Sequence, residues 1–296
     1  MRIGVDLGGT KIEAIALADD GAIAFRRRID TPRAYRPTIE AIAALVAEAD
    51  GAIGHRVPIG VGIPGTLSPA TGLVKNANST WLNGQALDRD LAAALGRQVR
   101  LANDANCFAL SEASDGAGAG ARIVFGVIIG TGCGGGIVVD GKILTGPHAV
   151  AGEWGHTPLP WMTPEEYPGP QCWCGKRGCI ETFVSGTGLG RDHGHGLSAQ
   201  EIVARADSGD VAASAALDRY VDRLGRGLAV IADILDPDAI VLGGGMSKLD
   251  RLYRDLPPAM ARHVVGGGYQ ARILPPRHGD ASGVRGAAWL WPISGP

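Results

Sequence analysis

The stretch Ile3-Gly4-Val5-Asp6-Leu7-Gly8-Gly9-Thr10-Lys11-Ile12 runs from an apolar segment through an acid into a glycine turn and out into a second apolar segment. It predicts two strands joined by a tight turn. Further along, Ile128-Ile129-Gly130-Thr131-Gly132 repeats the device between expected strands at 122–129 and 136–139. Neither turn leads into a helix, so neither is a Walker loop or a Rossmann turn. This internal repeat is weak by identity and suggestive by position, the same device used twice, and the length of 296 residues suggests two domains or one large α/β unit. Outward from the first turn, 2–7, 12–18 and 22–30 read as a three-stranded meander. A helix near 37–49, a buried strand at 57–63, a helix near 87–96, a strand at 98–102 and a helix from Asp104 to about 114 follow. After the second turn come an irregular loop over 146–180, helices at 197–207 and 210–235, and a strand at 239–242 ending in Gly243-Gly244-Gly245. Helices near 248–264 and 282–291 complete the chain. Alternating apolar runs and helical periodicity argue for α/β layers. The expected domains are 1–104 plus 283–296, and 105–282.

The chain of 296 residues carries 28 basic and 30 acidic side chains, a formal charge of −2, which excludes attraction of nucleic acid or anionic membrane by bulk charge. Residues 123–139 lack charge but are interrupted by six glycines, so they do not read as a membrane span. The N-terminus enters a strand at once with no apolar leader, and the protein is expected to be soluble and cytoplasmic. Cys107 and Cys133 stand alone and read as buried and reduced. Trp154, Trp161, Trp173, Trp289 and Trp291 read as packing residues, and Arg26-Arg27-Arg28 as part of a solvated edge strand.

Glycine turns let backbone N–H groups converge on an anion, and Thr10 and Lys11 add a hydroxyl and an ammonium to Gly8 and Gly9. Asp6 cannot hold a phosphate; its part would be Mg²⁺, directly or through water. A lone Gly-Gly pair is also what an ordinary hairpin uses. Five glycines in the seven residues Gly130-Thr131-Gly132-Cys133-Gly134-Gly135-Gly136 exceed that need, and two such tips facing each other make a phosphate clamp. Gly244 and Gly245 offer a flat surface for a nucleobase. His156, Cys172, Cys174 and Cys179 form the pattern H-x15-C-x-C-x4-C, the ligand set of a structural zinc. The rival readings are scattered thiols, or a disulfide with one thiol left over. Clustering, the glycines at 175 and 178 and the lack of a secretion signal favour the metal. Glu153 and Glu181 bracket this cluster. Asp104 opens a helix, where it reads equally as an N-cap; that position holds the carboxylate ionised and makes it a weaker base.

Together, Asp6-Leu7-Gly8-Gly9-Thr10-Lys11, Asn103-Asp104-Ala105-Asn106, Gly130-Thr131-Gly132, Gly155-His156 and the Cys-x-Cys-Gly-x-x-Gly-Cys-x-Glu of 172–181 resemble the ROK family of bacterial sugar kinases and sugar-sensing repressors. The likeness spans essentially the whole chain. It implies two ribonuclease-H-like domains of the actin/hexokinase superfamily, with a catalytic cleft between them and a zinc-binding loop. By the same resemblance, Asp104 is the base for the sugar hydroxyl. Gly65, Asn78, Asn103, Glu153, His156 and Glu181 contact the sugar, ATP and Mg²⁺ are cofactors, and a homodimer is expected. His156 could serve zinc through one ring nitrogen and a sugar oxygen through the other. Residues 75–84 and 158–161 resemble the fructokinases, including those that accept mannose. Residues 101–113 are shared with N-acetylglucosamine kinases and do not choose between them. The expected reaction is ATP-dependent phosphorylation of a 6-hydroxyl, of fructose first, with mannose or glucose as further acceptors. The alternatives are an N-acetylglucosamine or N-acetylmannosamine kinase or a glucokinase. A repressor would need a helix-turn-helix domain before the first turn, and a turn that begins at residue 6 is expected to leave no room for one.

Overall fold

The computed structural model describes residues 1–194 and 196–292. The first half contains β1 (Arg2–Leu7), β2 (Lys11–Leu17), β3 (Ile23–Asp30), α1 (Tyr35–Ile53), β4 (Ile59–Ile63), the short pair β5 (Thr66–Leu67) and β6 (Val74–Lys75), α2 (Leu87–Leu95), β7 (Val99–Asn103) and α3 (Asp104–Ser114). The second contains β8 (Ile123–Ile129), β9 (Cys133–Val139), β10 (Lys142–Ile143), α4 (Glu181–Val184), α5 (Gly186–His193), α6 (Ala199–Asp207), α7 (Val211–Leu235), β11 (Ala239–Gly243), α8 (Asp250–Ala261), β12 (Ile273–Leu274) and α9 (Ser282–Trp289). Two five-stranded sheets result, ordered β3-β2-β1-β4-β7 and β10-β9-β8-β11-β12. Each is an antiparallel meander continued by two parallel strands. The repeat that the two glycine turns hint at is therefore a repeat of whole-sheet topology. The first turn closes the β1–β2 hairpin through Gly8 N–H to Lys11 O (2.9 Å), and the second closes β8–β9 through Gly130 N–H to Gly132 O (3.0 Å).

Two helices lie between the sheets, and glycines set how closely they approach. A Cβ on Gly4 of β1 would lie 2.1 Å from Val284 O, and one on Gly60 of β4 1.8 Å from Ala287 O, so α9 rests directly on the first sheet. On the other side, Gly126 of β8 and Gly136 of β9 admit α3 at Ala109 and at Ala105, whose backbone oxygen would lie 2.5 Å from a Cβ on Gly136. The two helices touch where Gly286 meets Cys107 O, 1.6 Å from where its Cβ would stand. Glycine is the only residue that fits at such contacts without displacing backbone. Thus α3, which begins at Asp104, and α9, which packs on β1 and β4, join the two sheets. Residues 293–296 of the expected returning segment lie outside the described residues.

Several boundaries shift. The strand expected at 57–63 begins at Ile59, after Pro58, which has no N–H for the ladder. The helix expected over 248–264 is Asp250–Ala261, with a 3-10 turn at Gly245–Lys248 before it. The strand expected at 136–139 starts at Cys133, because its glycines pair as well as any residue. The helix α5 is unexpected, since Gly186, Gly188 and Gly190 mask its periodicity; Ser185 caps it by accepting from Gly188 N–H. Arg26 and Arg28 do project from an edge strand, but both grip Glu13, itself only 4% exposed, and Arg27 pairs with Glu48. Cys107 and Cys133 are buried free thiols. Among the described residues no helix is long and apolar enough to cross a membrane.

Candidate active site and zinc centre

A cavity of about 540 Å³ is lined by Gly65, Asn78, Asn103, Asp104, Glu153, His156 and Glu181, together with Gly130, Thr131, Gly132 and Gly134 of the second turn. Every residue expected to touch the sugar borders it. Gly65 takes φ +147°, and a Cβ there would lie 2.8 Å from Lys75 O, so the backbone itself forms that wall. Asn78 is presented by a turn that Asn83 ties from both ends: Ala77 N–H donates to its Oδ1 (2.9 Å) and its Nδ2 donates to Ala77 O (3.0 Å). Asn83, not Asn78, is thus the side chain that caps this turn's backbone.

Asp104 is the first residue of α3, and the N-cap is Asn103, whose Oδ1 accepts from Asn106 N–H at 2.8 Å. That corrects the reading of Asp104 as the cap, and Asn103 also borders the cavity. Asp104 Oδ1 accepts from Ala105 N–H (2.8 Å). Asp104 is exposed to the open cavity, while the cleft around it is dense with protein. Desolvation raises its pKa above the usual 3.8, backbone N–H groups partly oppose this, and Glu153 adds a raising contribution. The weaker base expected from the helix N-terminus is thereby reversed.

Asp6 ends β1 beneath α9, 3.2 Å from where a Gly283 Cβ would stand. Burial, then repulsion from Asp104 and Glu13, pushes its pKa up to about 6. Two carboxyls that repel one another suit a divalent cation, which would relieve that repulsion, so Asp6 fits Mg²⁺. The first turn packs beside Ser79, 3.5 Å from where a Gly9 Cβ would be, one residue from Asn78. It is not part of the cavity wall, and Lys11 extends its ammonium to Asp30 instead. In the second turn the glycines have separate reasons. Gly130 faces open space, a Cβ on Gly132 would meet Glu181 at 2.8 Å, and Gly135 and Gly136 make room for Trp154 and α3. Only part of that glycine run is therefore left free of protein contacts that glycine alone satisfies. Gly186 N–H and Thr187 Oγ1 of α5 hold the carbonyls of Gly130 (2.7 Å) and Thr131 (3.0 Å). A second cavity of about 710 Å³ continues from Gly130 and Thr131 along α5 to Gly245. Gly245 is open there, whereas Gly244, at φ +81°, is pressed against Ile129 O.

His156 and the three cysteines Cys172, Cys174 and Cys179 bring their donor atoms within 4.8 Å of one another. Cys174 Sγ and Cys179 Sγ lie 3.6 Å apart, and Cys172 Sγ lies 3.6 Å from His156 Nδ1. A tetrahedral zinc with its usual bond lengths needs S–S edges of roughly 3.8 Å and S–N edges of roughly 3.6 Å, so the donor set fits. The loop is fastened to α7 by Glu166, which accepts from Arg223 Nε (2.7 Å) and Arg226 Nη2 (2.7 Å), while Arg226 Nη1 reaches Pro160 O and Trp161 O. Burial would raise the pKa of Glu166, but the arginines outweigh it and bring it to about 2. Nothing in the spacing of Glu166, Arg223 and Arg226 reveals this clamp, because it joins residues about sixty apart. Glu181 Oε2 accepts from Cys133 N–H (3.0 Å) and its Oε1 from Trp173 Nε1–H (2.8 Å). Trp154 is buried, but Trp161 and Trp173 are not the packing residues expected: they are 54% and 69% exposed, and Trp173 borders the cavity.

A family model described as ROK family matches residues 2–293. The chain belongs to the ROK family. This ROK-family chain is 43% identical over 300 residues, 98% of its length and 99% of the relative's, to an N-acetyl-D-glucosamine kinase of Escherichia coli O139:H28. It is similar to a ROK hexokinase structure from Thermus thermophilus, at TM-score 0.87 and 31% identity over 97% of this chain and 96% of that one. It also resembles a ROK-family glucokinase from Streptomyces griseus solved with glucose and AMPPNP, at TM-score 0.78 and 32% identity over 98% of both. The fold is the α/β actin/hexokinase type. The kinship to fructokinases read from 75–84 and 158–161 is not what these relatives carry.

Proposed function

We propose that this protein transfers the γ-phosphoryl group of ATP to the 6-hydroxyl of a hexose, with N-acetylglucosamine ahead of fructose as acceptor. The observation that carries the reading is the single cavity that joins Asp104 to Asn78, Asn103, Glu153, His156 and Glu181 on one side and to the Gly130–Gly134 turn on the other. A hexose is polar on every edge and needs such matched donors and acceptors. Asp104 would accept the hydroxyl proton and aim the oxygen in line with the phosphorus, where orientation contributes more than basicity in a loose transition state. Asp6 would hold Mg²⁺, the Gly8–Thr10 and Gly130–Gly132 turns the phosphates, and Gly245 the base. ATP with Mg²⁺ supplies the phosphoryl group and neutralises its charge. Residues 1–104 with the returning α9, and residues 105–282, would act as lobes that close on the sugar and exclude water. The curated relatives favour the N-acetylhexosamine, which stood as the alternative to fructose in the sequence. A coupled assay of ADP release over N-acetylglucosamine, N-acetylmannosamine, glucose, mannose and fructose tests this; the highest kcat/KM is expected on N-acetylglucosamine. Sugar-independent ADP release alone would overturn it.

The pKa of Asp104 gives a pH prediction. A base works only when deprotonated, so kcat/KM should rise with pH through a carboxyl ionisation lying above the ordinary aspartate value. Glu153→Gln removes a like charge and should move that limb to lower pH. An unmoved limb would break the link between Glu153 and the base. For stability the sign is opposite: an acid whose folded pKa is raised favours the fold most at low pH and loses that contribution as pH rises through its folded pKa.

A further inference from the structure

We propose that Trp173 is a specificity-determining residue that forms an apolar wall for a 2-acetamido substituent, which makes a 2-acetamido-2-deoxyhexose the substrate class. The inference rests on the hexokinase reading of the cavity. Trp173, 69% exposed, borders the cavity and leaves apolar indole surface in water, where a ligand gains by covering it. Trp173 is also held in place. Its Nε1–H donates to Glu181 Oε1 at 2.8 Å, and its ring stands edge-on to His156 with centroids 4.7 Å apart at 88°. In the chain it sits between Cys172 and Cys174, so a zinc held by the Cys3His cluster would fix its backbone from both sides. A preorganised ring costs little entropy when a ligand covers it. In a hexopyranose with its 6-hydroxyl at Asp104, C2 lies across the ring, and His156, Glu181 and Trp173, which border the same cavity, would meet that side. A bare hexose presents only hydroxyls there. An acetamido group presents an amide for the polar pair and a methyl for the indole beside them.

The test compares kcat/KM for N-acetylglucosamine and glucose in the zinc-loaded full chain, in Trp173→Leu and in Trp173→Phe. Trp173→Leu should lower kcat/KM on the acetamido sugar about tenfold or more through KM, the scale of a lost apolar contact, and that on glucose less than about threefold. Trp173→Phe keeps an apolar ring but loses the bond to Glu181, so both sugars should fall by a similar factor and the preference should persist. Equal losses on both sugars in Trp173→Leu, no loss at all, or a wild type that phosphorylates glucose or fructose but not the acetamido sugar would overturn the proposal. Should Trp173→Leu fail to fold or to hold zinc, Trp173→Phe decides alone: a retained preference supports the wall and a lost one overturns it. If the wild type phosphorylates no hexose, the kinase reading itself fails. Calorimetric titration of the two sugars then judges Trp173 separately, with acetamido-selective binding in support and equal or absent binding against.

Discussion

Asp104→Asn is expected to lower kcat by about 10³-fold, within the usual contribution of a positioned general base, while the hexose dissociation constant moves less than about threefold. The asymmetry follows from the site. Asp104 Oδ1 accepts from Ala105 N–H, and an asparagine oxygen can keep that bond, so the first turn of α3 should hold its shape. Asn103 still caps the helix through Asn106 N–H. The sugar would still meet Asn78, Asn103, Glu153, His156 and Glu181, none of which depends on the charge at 104 for its position. An amide, however, cannot take up the hydroxyl proton, and it presents a donor where an acceptor is needed to aim the oxygen. Rapid-quench single-turnover kinetics beside calorimetric sugar titration separates the two effects. A near-normal kcat would remove the base assignment, and a lost sugar affinity would make Asp104 a binding group instead.

How much of this was legible in the chain divides along physical lines. The two glycine turns are local signals, and they located both hairpins and the sheet repeat because turn chemistry is written in adjacent residues. The cysteine cluster is equally local. Contacts between distant segments were not readable in the same way. Glu166 finds Arg223 and Arg226 across the fold, and Asn83 rather than Asn78 closes the loop that carries the latter. The glycines at 135 and 136 mimicked a phosphate signal while answering to Trp154 and α3, because a sequence does not distinguish a glycine that admits a ligand from one that admits a helix. The same limit applies to Asp104: the dipole of its helix is a local inference, whereas the desolvation that outweighs it comes from the whole cleft. Trp173 was misread for the converse reason. Tryptophan is usually packed, and only its place between two metal ligands hints that it is held at a surface.

Removal of zinc is expected to abolish measurable hexose binding, weakening it by about a hundredfold or more, since two hydrogen-bonding ligands and their orientation are lost together. As purified, the protein should contain one zinc per chain. Between Thr157 and Ile180 no helix is formed among the described residues; besides the Glu166 clamp, isolated bridges pair Pro158 with Cys179 and Gln171 with Arg177. His156 contributes Nδ1 to the metal cluster while its ring borders the cavity, and Glu181 follows two residues after Cys179. Without the metal, three buried or half-buried thiols have no common partner to draw them together, and both sugar ligands lose their frame. Trp173 goes with them, and through Glu181 the Cys133 N–H of the second glycine turn loses its acceptor; if that turn holds the phosphates as proposed, nucleotide affinity should fall as well, by a smaller factor. The Glu166 clamp to α7 does not involve the metal and should keep the loop tethered, which predicts local disorder rather than global unfolding. Chelation followed by elemental analysis, far-UV circular dichroism and sugar titration measures each part, and re-addition of Zn²⁺ should restore binding. Cys179→Ala should reproduce the chelated state. Zinc-free protein that binds hexose normally would remove the metal from the architecture of the site.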